Sequence, residues 1–497
     1  MKKSVLFLIL IFTHLCFANE ALNLSEPNEL RETFIASQSE KRKSIITYDE
    51  MIFDLNYLIY YFKTAYIGYD KMLKNGFNEE DFFTYFQNKY FGQVEIDTYD
   101  FYKSLSNYLK DFPDDMHFAL QGTVGREYVN LMTKKFTYFS DVFVQKNGND
   151  YFVVETNELN IEIGAKYCSS EDYLFYYPAK GDEVYRVGVV TSEKLENNKF
   201  VFNDRQYVVP VKLDTVLPLG TLKYHELETE DSGYVSLSSF FIPDKDSIYR
   251  KGAEIVYNKF KNIPVKWRNK KNIIVDLRSN TGGRMHEGMA FVYSIFNKNP
   301  KINMKNVDSW IAKTICCFEE TESNTVFSAM KNYLEITNET SNSYYKYCVS
   351  KLEKNQNQLF YKINKMEVVK LDKLKSYYKG KLIFITDRNT ASASENLIYL
   401  AKVTLGNEKV IVIGENSLGC FEYVSVFSYL LPNSRLSINL SSRRNSMLNL
   451  FSQWHGDCYG IYPDYWSIGN DLNETIFLVT KDNEMKLKLS NIANRLM

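Results

Sequence analysis

The chain has 497 residues, 45% of them hydrophobic and 15% aromatic, which is enough apolar material for two or three domains with real cores and excludes a disordered chain. Its 60 basic and 61 acidic residues leave a formal charge of -1. No basic field of the kind a nucleic-acid binder needs is present.

Residues 1–18, MKKSVLFLILIFTHLCFA, read as a signal peptide: two lysines, an apolar run from Val5 to Phe17, and Ala18 before polar Asn19. The run is short for a transmembrane helix. Export to the periplasm or the medium is therefore expected, with membrane contact only through an uncleaved leader. Residues 19–45 are polar and read as a linker. Beyond the leader stand Cys168, Cys316, Cys317, Cys348, Cys420 and Cys458, an even number that permits disulfides in an exported protein. Adjacent Cys316 and Cys317 cannot readily bridge each other, so a bond from one of them to Cys348 is the local expectation. No CxxC or Cys/His spacing suggests a metal site.

Residues 46–130 show apolar positions at three and four spacing, as in MIFDLNYLIYYF, EEDFFTYFQNKYF and YDFYKSLSNYL, and predict a helical N-terminal region. Residues 131–223 change to short alternating runs such as DVFVQ, DYFVVET and YRVGVV between Gly, Asn and Asp turns, predicting a small β-rich domain. From 224 to 497 strands alternate with helices, which predicts an α/β core, with a polar insertion at 297–378. SVFSYLL and RLSINL are expected to close that core as strands.

Two turns in the core carry chemistry. KLIFIT runs into DRNTASASE, and a helical pattern starts immediately behind it; IIVDLRSNTGG likewise ends in a glycine pair before a helix. A strand that ends in small residues and opens a helix delivers a hydroxyl to a place where backbone N–H groups converge. Ser392 is the hydroxyl so placed, and the glycines permit a second set of N–H groups to point into the same space.

The order VDLRSNTGG, TASASE, VIVIGENSLG and GIYPD resembles the C-terminal processing (tail-specific) serine peptidases and their tricorn-core and interphotoreceptor retinoid-binding relatives, over roughly residues 230–470. The resemblance implies a crotonase-like/ClpP-like spiral α/β core, Ser392 as nucleophile, and Gly283, with Gly282, and Ala393 as oxyanion donors. It implies protein or peptide substrates and neither metal nor organic cofactor. Tail-specific enzymes place a lysine base after a Gly-Glu-x-Thr-Phe-Gly segment, whereas this chain reads Gly414-Glu-Asn-Ser-Leu-Gly-Cys420, with Cys420 in the lysine's place. Lys402 lies about three turns along the helix behind the serine, too far by helix rise to replace it. The tricorn pattern instead uses a histidine after the helical region and a late glutamate. Here DDMH resembles the Leu-x-Asp-x-His element and makes His117 the base, with Met116 where an auxiliary serine would stand, and WHGDCYGIYPD puts Asp457 at the glutamate's place. His455 and His286 are rival histidines. A disulfide between Cys420 and Cys458 is a further expectation of the export signal and of the family bringing both near the site. The β-rich domain occupies the place where many processing peptidases carry a PDZ domain. Two functions follow: an exported serine endopeptidase working through an acyl-enzyme, or an inactive descendant that binds extended peptides in the same cleft.

Overall fold

The computed structural model describes residues 43–121, 128–130, 135–213, 224–241, 249–298, 300, 302–314, 317–354, 360–366, 374–445, 448, 451–469 and 471–496. The leader, most of the linker and Cys316 lie outside them. Among the described residues no helix is long and apolar enough to cross a membrane. The chain forms two compact units, one of Met1–Met132, Cys317–Met366 and Glu422–Ser446, the other of Thr133–Cys316, Glu367–Phe421 and Met447–Met497.

The first unit begins with the expected helices, Tyr48–Ala65, Tyr69–Lys74, Glu79–Lys89 and Thr98–Leu109. Their starts are written in the sequence. Thr47 and Glu50 form a reciprocal capping box, while Asn78 and Asp97 cap the third and fourth helices through their side chains. The abundant aromatics form the core here, with Tyr60, Tyr61, Phe62, Phe82 and Phe86 all buried. Against them lies an antiparallel sheet in the order Phe360–Met366, Cys317–Ser323, Ser437–Asn445, Ala119–Gln121 and Tyr128–Asn130, with Tyr423–Leu430 also paired to Ser437–Asn445. SVFSYLL and RLSINL are thus strands, but they pair with segments far away in sequence and not with the α/β sheet they follow. Their antiparallel hairpin leaves an edge that Ala119–Gln121 and Cys317–Ser323 complete, an arrangement that strand periodicity does not encode.

The second unit holds two sheets. The β-rich segment forms seven antiparallel strands between Phe136 and Pro210, ordered Arg205–Pro210, Asn197–Phe202, Lys166–Tyr167, Asp150–Thr156, Phe136–Asn147, Val184–Thr191 and Leu174–Tyr176. The other sheet runs Tyr224–Glu228, Ser232–Leu237, Asn272–Asp276, Lys381–Thr386, Val410–Gly414 and Tyr465–Trp466. Its first pair is antiparallel and the remaining four pairings are parallel. The apolar runs IIVD and LIFIT occupy its buried centre, as strands covered on both faces should. Helices Met285–Ile295 and Ala393–Leu405 follow the two central strands and pack closely: a Cβ on Gly288 would lie 3.0 Å from the Leu397 Cβ. This is the α/β core expected of a crotonase-like/ClpP-like protein. Three neighbouring strands, ending at Asp276, Thr386 and Gly414, deliver their following turns to one end of the sheet, where ligand sites of parallel sheets form.

Candidate active site

The turn after Thr386 is held by its own polar residues. The Asp387 carboxylate accepts the N–H groups of Ser279 (2.9 Å) and Asn389 (3.0 Å), and the Thr390 hydroxyl donates to the Leu277 carbonyl at 2.9 Å. Asn280 clamps the two turns together. Its carbonyl accepts the Ala391 N–H at 2.9 Å and the Ser394 hydroxyl at 3.1 Å, while its side-chain amide donates to the Leu237 carbonyl at 2.8 Å.

Ser392 sits at the N-cap of the helix Ala393–Leu405 with φ 54° and ψ -111°, a conformation that L-residues rarely adopt. Its N–H donates to Glu395 Oε2 at 2.7 Å. The glycine turn lies directly against it: a Cβ on Gly282 would fall 2.8 Å from the Ser392 Cβ and 2.9 Å from the Ala393 nitrogen. Any side chain at Gly282 would therefore force these groups apart, and its φ of 93° also favours glycine. Gly282 spends its own N–H on Asn280 Oδ1 at 3.0 Å. The N–H groups of Gly283 and Ala393 donate to no group among the described residues. Gly283 is fixed by the chain on its other side, where the Phe240 N–H donates to the Gly282 carbonyl at 2.8 Å and the Arg284 N–H to the Phe240 carbonyl at 2.9 Å.

Glu395 is the residue that sequence reasoning passed over. Fully buried, it accepts four hydrogen bonds, from the Ser392 N–H, the Ser417 hydroxyl (2.5 Å), the Gly419 N–H (2.8 Å) and the Cys420 N–H (2.9 Å). Burial raises its pKa and the four donors oppose that shift. It thereby ties the backbone of Ser392 to the turn after Gly414. The signal was present as Ser392-x-x-Glu395, the spacing of a capping box. Arg388 pairs with Glu415 at 2.5 Å and braces the start of the same turn.

Cys420 is buried in this turn. The late loop crosses here: the Cys458 N–H donates to the Gly419 carbonyl at 2.9 Å and the Ile461 N–H to Ser417 Oγ at 2.7 Å. Asp457, largely buried, precedes Cys458 and so stands beside the turn that Glu395 organises. Among the described residues Cys168, Cys348, Cys420 and Cys458 are all thiols, so the expected bonds from Cys348 and between Cys420 and Cys458 are not formed. Lys402 is committed elsewhere, in a 2.7 Å ion pair with Asp464, whose Oδ2 also accepts the Val412 N–H. His455 stacks on Tyr462 with ring centroids 3.7 Å apart, and His286 lies 3.6 Å from Asp308.

His117 belongs to the first unit, in the turn between the helix Thr98–Leu109 and the strand Ala119–Gln121. Burial lowers its pKa to about 4, and its ring is held by the Tyr423 backbone, a contact that favours the protonated form. At neutral pH the imidazole is uncharged, with one nitrogen able to accept a proton.

Residues 231–465 match the model of peptidase family S41. That segment belongs to peptidase family S41. The chain is accordingly a serine-type peptidase, with protein or peptide substrates. No curated protein matches its sequence. Among solved structures, mature CPAF complexed with lactacystin is 12% identical, with 90% of this chain and 99% of that chain covered and a TM-score of 0.41. The photosystem II D1 C-terminal processing protease is 13% identical, with 88% and 98% covered and a TM-score of 0.35. A lipoprotein from Streptococcus agalactiae is 18% identical, with 52% and 69% covered and a TM-score of 0.29.

Proposed function

We propose that this peptidase is an exported endopeptidase that cleaves through an acyl-enzyme on Ser392. The observation that carries the reading is a strained N-cap serine packed against the Gly282-Gly283 turn, with the N–H groups of Gly283 and Ala393 donating to no group among the described residues. A substrate carbonyl set against Ser392 would put its developing oxyanion where those donors point, and the helix start adds favourable potential.

In the proposed sequence His117 takes the proton of Ser392 Oγ as the oxygen attacks, and returns it to the leaving amine when the tetrahedral intermediate collapses. Water then repeats the cycle on the ester. His117 is supported by its neutral, ring-anchored state and by its place in the DDMH element. Asp457 is assigned to steadying the charged site, supported by its place beside the turn carrying Cys420. With Cys420 at the lysine's position, a thiol replaces the amine of a Ser–Lys dyad, and the histidine route does not need that amine. Export rests on the leader sequence.

The test is hydrolysis of unfolded casein, followed by mass spectrometry of the fragments. Wild type should produce fragments, and hydroxylamine should divert acyl groups to hydroxamates; Ser392→Ala and His117→Ala should produce neither. Cleavage by Ser392→Ala at the wild-type rate would overturn the assignment. For export, the mature N-terminus of the secreted protein should be Asn19, and an intact leader on a protein retained in the cytoplasm would contradict it.

A further inference from the structure

His117 has a neighbour that the triad reading leaves unused. Asp115 is completely buried in the same turn, and its Oδ1 accepts the His117 backbone N–H at 2.8 Å while standing 3.8 Å from the His117 Nδ1. Its Oδ2 is buried and makes no hydrogen bond among the described residues, and the Ser441 hydroxyl nearby favours the charged carboxylate. The Asp-x-His spacing produces this geometry, because an aspartate carboxylate readily reaches the backbone N–H two residues on. A buried carboxylate is costly unless it serves packing, hydrogen bonding or charge compensation, and only one of its oxygens is well satisfied here.

We propose that Asp115 is the positioning residue of the general base: it fixes the backbone of His117 and stabilises the imidazolium that forms when His117 takes the Ser392 proton. The inference rests on the reading of His117 as base. No proton passes to Asp115 during the step; the proton moves from Ser392 Oγ to the imidazole and then to the leaving group, while Asp115 supplies negative charge at 3.8 Å in a water-poor turn. Among the described residues the groups beside the pair include the Ser441 hydroxyl, the Phe118 and Tyr423 backbone, and the Glu422 carboxylate, itself ion-paired with Arg444 at 2.7 Å. Burial, reinforced by Glu422, raises the Asp115 pKa to about 7. Asp115 is therefore neutral in acid and charged in mild alkali, and the assistance it gives His117 should switch on across that range.

The experiment measures the second-order rate at which a fluorophosphonate probe labels Ser392 in the full chain, from pH 5 to pH 9, for wild type, Asp115→Asn and His117→Ala. Asparagine can still accept the His117 N–H, so the variant removes the charge and keeps the turn. The expected result is a wild-type rate that rises through about pH 7 and an Asp115→Asn rate that lacks this limb, falling about 10- to 100-fold below wild type at pH 8. Wild-type labelling by folded Asp115→Asn at every pH, with His117→Ala inert, would overturn this inference alone. Wild-type labelling by His117→Ala would overturn the base assignment beneath it. Should Asp115→Asn not fold, ¹⁵N-histidine NMR of the wild type decides: the His117 ring shift should show an inflection near pH 7, and its absence would count against the proposal.

Discussion

Replacing Ser392 with glycine should stabilise the protein while abolishing its chemistry. The serine holds φ 54° and ψ -111°, and a non-glycine residue in such a region costs of order 1–3 kcal/mol. Glycine relieves that cost but makes the unfolded chain more flexible, which takes back about 0.5–1 kcal/mol. Two hydrogen bonds that fix this residue, its N–H to the Glu395 carboxylate and its carbonyl from the Asn396 N–H, use its own backbone, which glycine keeps. The balance is a gain of about 1 kcal/mol, or roughly 2 °C in melting temperature. Ser392→Ala is the control, because it also removes the hydroxyl but retains the Cβ and hence the strain, so it should melt near wild type. Thermal denaturation of the three proteins, followed by circular dichroism, reads the difference directly. A glycine variant that melts below the alanine variant would refute the argument that this nucleophile is held under backbone strain.

Three further outcomes are expected. Gly282→Ala would place its methyl 2.7 Å from the Ala391 carbonyl oxygen and 2.8 Å from the Ser392 Cβ, so it should both lower the melting temperature and reduce casein hydrolysis by about 100-fold or more. Lys402→Met removes the cation from the 2.7 Å pair with Asp464; because Asp464 is partly exposed and keeps the Val412 N–H, the loss should be about 1–3 kcal/mol in chemical denaturation, with fluorophosphonate labelling retained. The pH dependence of stability should differ between wild type and Asp115→Asn. A carboxyl whose folded pKa is raised from 3.8 to about 7 stabilises the fold below the unfolded value and loses that contribution as pH rises toward 7, so wild type should lose more stability than the asparagine variant between pH 4 and pH 8. His117 acts in the opposite sense in both proteins: its folded pKa near 4 means that stability is lost as pH falls from about 6.5 to 4. Melting curves at pH 4, 6 and 8 separate the two contributions.

Much of the site was legible because its parts are local. VDLRSNTGG and TASASE each carry a strand, a turn and a helix start in consecutive residues, and the parallel pairing of Asn272–Asp276 with Lys381–Thr386 brings the turns together without further information. The seven-stranded sheet was readable for the same reason, since nearly all its pairings join segments within residues 136–210. What failed was long-range. Nothing in SVFSYLL or RLSINL announces partners at Ala119–Gln121 and Cys317–Ser323, because alternation fixes which side chains face a core and not which edge accepts the strand. Glu395 escaped notice for a different reason: in the first turn of a helix a glutamate satisfies helix start and dipole alone, and its other hydrogen bonds come from a turn more than 20 residues on. Cys420 stood out in the sequence for its thiol, while its part in the Glu395 network comes from its backbone N–H, which any non-proline residue would supply.

The most direct test of the central claim is the intact mass of the purified protein after exposure to a fluorophosphonate, with peptide mapping of any adduct. A single adduct on Ser392, absent from Ser392→Ala and slowed at least about 1000-fold in His117→Ala, is the result expected of an activated serine served by a histidine base. A folded protein that takes up no adduct, or takes it up on another residue, would contradict it.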